Sequence, residues 1–218
     1  MSSPPTLSVE LLVVDDPAAE VGERLIRARG NVALAGGSTP RRAYELARRR
    51  QSWDGVTLWF GDERCVPPED ERSNYRLAKK ALGFEDAHRI RGELGGEEAA
   101  RLYEQELRGV TLDLVLLGVG SDGHTASLFP DAPALQERQR LVVAAEPGLE
   151  PFVERVTLTL PAIAAAREVV FLVAGEEKAE AVERAFGRPP SPETPASLAR
   201  GRRTVAVLDP AAASRLRG

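Results

Sequence analysis

The sequence DLVLLGVG occupies residues 113–120, and SDGHTASLFP follows it directly at residues 121–130. The first part is a short, nearly continuous apolar run, which is typical of a parallel strand buried on both faces. The polar part holds Asp122 and His124, one of the two histidines of the chain. Because ligands of open parallel sheets bind just beyond the carboxyl ends of the strands, this pattern predicts a functional site at residues 121–130.

The rest of the chain alternates between short apolar runs and amphipathic segments. We expect further strands at 9–14, 31–35, 56–61, 140–145, 155–160, 168–174 and 204–208. We expect helices at 16–29, 36–50, 74–82, 97–108, 175–186 and 210–217, and a short one from residue 161. This alternation predicts a three-layer, Rossmann-like α/β fold, with a mostly parallel sheet and helices on both faces. The length of 218 residues favours one domain, 1–218, over two small ones.

Composition narrows the class of protein. The formal net charge of −4 argues against a protein that coats nucleic acid. The single cysteine, Cys65, has no partner for an internal disulfide, and Met1–Thr6 lacks the basic and apolar regions of a signal peptide. No apolar run reaches membrane-spanning length. We therefore expect a soluble cytoplasmic protein with neither nucleic-acid nor membrane partners, as a monomer or small homo-oligomer.

Two other strand ends carry groups suited to binding or chemistry. Gly36-Gly37-Ser38-Thr39-Pro40 joins a strand to a helix, so glycine backbone, free helical N–H groups and two hydroxyls meet there. A capped turn has the same composition, but these groups also suit an anion such as phosphate. Asp62 and Arg64 follow the strand at 56–61, either as a surface ion pair or as active-site groups.

Three further side chains need an interpretation. Lys178 lies in the first turn of a predicted helix, where a cation is poorly placed against the helix dipole unless an anion is near. His88 has no chemical company in sequence, so we expect a surface or structural histidine. Cys65 has no histidine nearby, so we expect a buried or half-buried bystander rather than a nucleophile.

Four blocks of this sequence resemble the 6-phosphogluconolactonases, which share a wider group with the glucosamine-6-phosphate deaminases. They are GVGSDGHTASLFP at 118–130, GGSTP at 36–40, GDERCVP at 61–67 with SNY at 73–75, and GEEK at 175–178. The segment RVTLT at 155–159 is similar to another segment of that family. The resemblance implies hydrolysis of 6-phospho-D-glucono-1,5-lactone to 6-phosphogluconate, the second step of the oxidative pentose phosphate pathway, without a cofactor.

The resemblance also implies roles for site residues. His124 would take the proton of the attacking water, since imidazole has an unperturbed pKa of ~6.5. Asp122 would orient His124 or hold sugar hydroxyls. The developing negative charge on the carbonyl oxygen would be stabilised by Arg64 or by backbone amides near residues 120–123. The catalytic group would thus comprise His124, Asp122, Asp62 and Arg64, and the substrate and phosphate group Gly36, Gly37, Ser38, Thr39, Arg155 and Lys178. Which of the two arginines meets the phosphate stays open, and no metal ligand set is expected.

Two alternative functions remain. The deaminases carry a glutamate five residues after the histidine, where this chain has Phe129. Since phenylalanine cannot transfer a proton, an aminosugar-6-phosphate isomerase or deaminase is disfavoured. A non-catalytic sugar-phosphate sensor would keep the 36–40 loop and Lys178, but it would have no need of His124 beside Asp122.

Overall fold

The computed structural model describes residues 8–49, 52–148 and 152–216. The expectation that Met1–Thr6 is not a signal peptide falls on residues outside these ranges. The described strands are β1 (Val9–Val13), β2 (Gly30–Leu34), β3 (Val56–Phe60), β4 (Asp62–Arg64), β5 (Leu114–Leu117), β6 (Val142–Ala145), β7 (Arg155–Leu158), β8 (Glu168–Val173) and β9 (Arg203–Leu208). The described α-helices are α1 (Pro17–Arg27), α2 (Ser38–Ala47), α3 (Asn74–Leu82), α4 (Gly96–Leu107), α5 (Leu160–Ala165) and α6 (Ala179–Phe186).

Six strands form one parallel sheet in the order β1-β9-β8-β5-β2-β3. All four residues of β5 are buried. Because successive side chains of a strand point to opposite faces, the sheet is covered on both faces at its centre. The predicted α/β fold with a mostly parallel sheet is therefore confirmed.

Local sequence explains where the helices begin and end. Asp16 is the N-cap of α1, with its carboxylate accepting from Ala19 N at 3.1 Å and Pro17 next in the chain. Ser73 caps α3 by accepting from Arg76 N at 3.1 Å, and Gly83 ends that helix in the left-handed conformation.

A second sheet was not predicted. Strands β4, β7 and β6 pair antiparallel in that order, separately from the six-stranded sheet. β4 begins one residue after β3, and the backbone N–H of Leu158 in β7 donates to Gly61 O between them at 2.8 Å. The segments at 140–145 and 155–160 are thus strands as expected, but they do not join the parallel sheet.

The structure corrects the predicted final helix and some predicted element boundaries. Residues 210–215 form turns rather than the expected final helix, although Asp209 accepts from Ala212 N at 2.7 Å as a helix cap would. The helix expected at 16–29 ends at Arg27, and the strand expected at 31–35 begins at Gly30. The segment 176–178 is a single 3₁₀ turn, and α6 begins only at Ala179.

Candidate active site

The parallel sheet explains how distant segments meet. β8, β5, β2 and β3 are consecutive neighbours, so the residues that follow them emerge at the same edge. A cavity of about 250 Å³ lies there. Nine of the ten predicted site residues line it: Gly36, Gly37, Ser38, Thr39, Asp62, Arg64, His124, Arg155 and Lys178. The tenth, Asp122, reaches this cavity through its contact with His124.

The loop after β5 is folded on itself. The N–H of Gly120 donates to His124 O at 2.9 Å, and that of Gly123 donates to Gly120 O at 2.9 Å. Thr125 Oγ1 donates to Gly118 O at 2.8 Å. Gly123 has a φ of 94°, a conformation that side chains disfavour. These bonds hold His124 at the cavity and already engage two of the backbone amides considered for oxyanion binding.

His124 and Asp122 form a close pair. Nδ1 of His124 lies 2.6 Å from Oδ1 of Asp122, and the same oxygen accepts from the backbone N–H of His124 at 3.1 Å. Burial alone would raise the pKa of Asp122, but the hydrogen bond and charge of His124 outweigh it, so this pKa lies below its usual value. An ionised carboxylate only accepts hydrogen bonds, so Nδ1 carries the proton and Nε2 is left for a substrate.

The segment Gly36–Pro40 forms the start of α2. Gly37 is the N-cap with a φ of 106°, and no side chain caps this helix end. The N–H groups of Ser38 and Thr39 therefore stay at the cavity with the two hydroxyls. This arrangement has the chemistry of an anion site, and the capped-turn interpretation does not describe it.

Two arginines that line the cavity are neighbours across the antiparallel sheet. Arg64 of β4 and Arg155 of β7 are direct partners in the antiparallel sheet. Burial, and next the charge of Arg64, lower the pKa of Arg155, while the Asp62 carboxylate opposes this shift. Nε of Arg64 is buried and has no hydrogen-bond acceptor among the described residues. Such a pair of cations favours a bound anion.

Lys178 reaches the cavity from the 3₁₀ turn after β8. Its Nζ lies 3.3 Å from Ser121 Oγ, in the loop that carries His124. Gly175 begins the turn, and its N–H donates to the Asp209 carboxylate at 3.0 Å. The end of β9 thus fixes the turn that presents Lys178.

Two site residues were not predicted individually. Asn74 lines the cavity and donates from Nδ2 to Asp62 Oδ1 at 3.1 Å. Ser127 is fully buried and donates to Asp62 Oδ2 at 2.7 Å. Both lie in blocks that carry the family resemblance, SNY and GHTASLFP. That resemblance was the available signal, because neither spacing nor residue type distinguishes them from ordinary polar residues.

Within the described residues, no three His, Cys, Asp or Glu side chains are grouped so that they could hold a metal ion. The described helices likewise include none that is long and apolar enough to cross a bilayer.

Comparison with known proteins agrees with this geometry. A family model described as glucosamine-6-phosphate isomerases/6-phosphogluconolactonase matches residues 14–207. The 6-phosphogluconolactonase of Streptomyces coelicolor is 42% identical over 78% of this chain and 74% of its own length. That of Mycobacterium tuberculosis is 38% identical over 91% of this chain and 93% of its own.

A solved structure is similar over nearly the whole chain. The 6-phosphogluconolactonase of Trypanosoma cruzi superposes with a TM-score of 0.85 at 28% identity, covering 97% of this chain and 98% of that one. Together with the family match over residues 14–207, these similarities show that the chain belongs to the family of glucosamine-6-phosphate isomerases and 6-phosphogluconolactonases.

Proposed function

We propose that this chain is a 6-phosphogluconolactonase that hydrolyses 6-phospho-D-glucono-1,5-lactone to 6-phosphogluconate by general-base activation of water. The observation that carries the proposal is the cavity that His124, already paired with Asp122, shares with an anion-binding helix start and Lys178. Its volume of about 250 Å³ suits a small polar substrate. The curated relatives described above bear the name of this enzyme.

The phosphate binds at the Gly36–Thr39 segment and Lys178. The N–H groups at the start of α2 follow β2, and Lys178 follows β8, with β5 between these two strands. Together they supply hydrogen bonds and positive charge to the cavity. Arg155, which also lines the cavity, adds a second cation. Binding the phosphate firmly holds the lactone carbonyl in place for attack.

His124 acts as the general base. Nε2 takes a proton from water as the water attacks the lactone carbonyl, and the imidazolium then gives that proton to the departing ring oxygen. Asp122 keeps Nδ1 protonated and stabilises the imidazolium through the 2.6 Å contact. Of the two roles considered for Asp122, orientation of His124 is the one this contact supports, since Asp122 does not itself line the cavity.

Arg64 stabilises the oxyanion of the tetrahedral intermediate. The amides of Gly120 and Gly123 already donate within their loop, which removes two of the alternative donors. Arg64 lines the cavity and is positively charged, so its guanidinium can stabilise the oxyanion as it forms. Asp62, held by Asn74 and Ser127, supplies a carboxylate whose charge opposes the lowering of the Arg155 pKa.

Deamination of an aminosugar phosphate is disfavoured at the same site. Phe129 is 5% exposed, and its ring centroid lies 4.7 Å from that of His124. It therefore presents an apolar face where the deaminases carry a proton-transferring glutamate. The proposal includes a cytoplasmic location and a monomeric or small homo-oligomeric state. Light scattering of the purified chain tests the oligomeric state.

A coupled assay tests the proposed activity. Lactone generated in situ should be consumed well above its spontaneous rate, with 6-phosphogluconate as product and no ammonia from glucosamine 6-phosphate. Ammonia release at a comparable rate would instead favour the deaminase. Saturable binding of 6-phosphogluconate without any acceleration of lactone hydrolysis would favour a sensor.

A further inference from the structure

One buried carboxylate outside the predicted site holds the start of α3. Glu63 is 3% exposed, and both of its oxygens accept hydrogen bonds. Oε1 accepts from the backbone N–H of Arg64 at 2.8 Å and of Asn74 at 2.7 Å. Oε2 accepts from Ser73 Oγ at 2.9 Å and from the N–H of Tyr75 at 2.8 Å. A single side chain thus joins β4 to the first turn of α3.

These donors partly offset the cost of burying the Glu63 carboxyl. Burial raises the pKa of Glu63 above its ordinary value, and the four hydrogen bonds, which stabilise the carboxylate, oppose part of this rise. The N–H groups of Asn74 and Tyr75 lie in the first turn of α3, where they have no acceptor within the helix and favour a nearby negative charge. The chain thus buries a carboxylate at a helix start that already has an ordinary N-cap, Ser73.

Asn74 connects this arrangement to the cavity. It is 1% exposed, and its Oδ1 accepts from an Arg64 guanidinium nitrogen. Its Nδ2 donates to Asp62 O at 2.9 Å and to Asp62 Oδ1 at 3.1 Å. A Cβ on Gly36 would overlap the Asn74 amide, so this side chain also packs against the anion-binding loop. A displacement of Asn74 would therefore disturb Arg64, Asp62 and the Gly36–Pro40 segment.

We propose that Glu63 is a positioning residue for lactone hydrolysis: it fixes the backbone of Asn74, whose amide then holds Arg64 and Asp62 in their working geometry. The inference rests on the proposed function for its kinetic consequence, while its structural core concerns the Asn74–Arg64 contact alone. Glu63 does not line the cavity, so it acts through these neighbours. Its replacement lowers kcat more than it raises KM, since Arg64 serves the transition state.

Glu63→Gln is the direct test. The variant keeps size and shape, but one carboxylate oxygen becomes an amide NH₂ that faces donors instead of accepting from them. The matched control is Glu104→Gln. Glu104 lies on α4, is also a buried carboxylate, accepts from the backbone N–H of Leu141, and does not line the cavity. Both variants are checked by circular dichroism and assayed well below their melting temperatures.

The expected results differ between the two variants. Glu63→Gln should lower kcat/KM by about 10- to 100-fold, the effect of slightly misplaced catalytic groups, mainly through kcat. Glu104→Gln should lose stability while keeping kcat/KM within about twofold, because distant sites act independently. Equal kcat/KM for the two folded variants would overturn the inference and leave the proposed function standing.

Asn74→Ala supplies the second test. If Glu63 acts through Asn74, adding Glu63→Gln to Asn74→Ala should change kcat/KM by no more than about twofold. Losses of kcat/KM that multiply in the double variant would contradict this route. A normal kcat/KM in Asn74→Ala alone would also contradict it. The single variant therefore tests the inference even if Glu63→Gln does not fold.

A crystal structure of Glu63→Gln, or of Glu63→Ala if the first does not fold, tests the inference without an assay. We expect the Asn74–Arg64 contact to be broken while the remainder of α3 stays in place. An unchanged contact would refute the positioning role even if the wild-type chain proved inactive, and inactivity of the wild type would count against the proposed function alone.

Discussion

Nδ1 of His124 lies 2.6 Å from Oδ1 of Asp122, two residues earlier in the same loop. The pair is made within one turn, so its geometry does not depend on bringing distant segments together. Gly120 makes it possible, because a Cβ at that position would come within 2.5 Å of Asp122 Oδ1 and would overlap the imidazole as well. Replacing Gly120, Asp122 or His124 should therefore reduce catalysis more than it reduces the stability of the fold.

Replacing the proposed base should slow the chemical step. We expect His124→Ala to lower kcat by roughly 10²- to 10⁴-fold, the usual contribution of a positioned acid–base group, while the melting temperature changes little. The assay must subtract spontaneous lactone hydrolysis. A folded variant with near-normal kcat would transfer the role of base to Asp62 or Asp122.

Asp122 should stay ionised in the weakly acidic range, because the hydrogen bond and charge of His124 hold its pKa below its usual value despite burial. Asp122→Asn removes this charge, so Nδ1 of His124 loses its carboxylate acceptor and kcat should fall while the melting temperature changes little. Steady-state kinetics of the purified variant make the measurement. A kcat equal to that of the wild type would show that Asp122 does not act on the base.

Phosphate binding should depend on Lys178. We expect Lys178→Ala to raise KM strongly with a smaller effect on kcat, as for an interaction that is equal in the ground and transition states. Lys80→Ala is the matched control, since Lys80 is exposed on α3 and does not line the cavity. Equal KM values for these two variants would remove Lys178 from the phosphate site.

Two glycines of one loop should respond differently to alanine. Gly120→Ala should disturb the His124–Asp122 pair and lower kcat about 100-fold, as expected when reacting groups are misplaced. Gly118→Ala should be milder, because a Cβ there meets no atom within 4 Å. Steady-state kinetics of the two purified variants make the comparison, and a milder effect at Gly120 than at Gly118 would contradict it.

Cys65 should be chemically quiet. Burial, and next the charge of Glu154, raise the pKa of Cys65 to about 12, so almost no thiolate forms at neutral pH. We expect slow alkylation of the native protein by iodoacetamide and near-normal kcat in Cys65→Ser. Rapid inactivation by alkylation, prevented by the Cys65→Ser change, would show that this thiol matters to the reaction.

Sequence alone determined the parts of the fold that depend on local patterns. The apolar run at 114–117 and the glycine-rich start of α2 predicted their elements, because strand burial and helix starts depend on neighbouring residues. The caps at Asp16 and Ser73 that the structure shows are local in the same way. The expected surface or structural role of His88 agrees with the structure, in which His88 is exposed, stacks on Trp59 at 4.0 Å and contacts Glu106. That residues 1–218 form one domain stays a prediction.

Only the tertiary structure decided which strands form which sheet. β6 and β7 have strand-like sequences, but an antiparallel pairing depends on partners far along the chain, and periodicity does not identify partners. The same pairing puts Arg155 beside Arg64. The roles of Asn74 and Glu63 likewise depend on hydrogen bonds that join β4 to α3, across about ten residues of intervening loop. A residue's own sequence neighbourhood sets its local conformation, whereas its function here depends on which distant groups the sheet edge brings within a hydrogen bond of it.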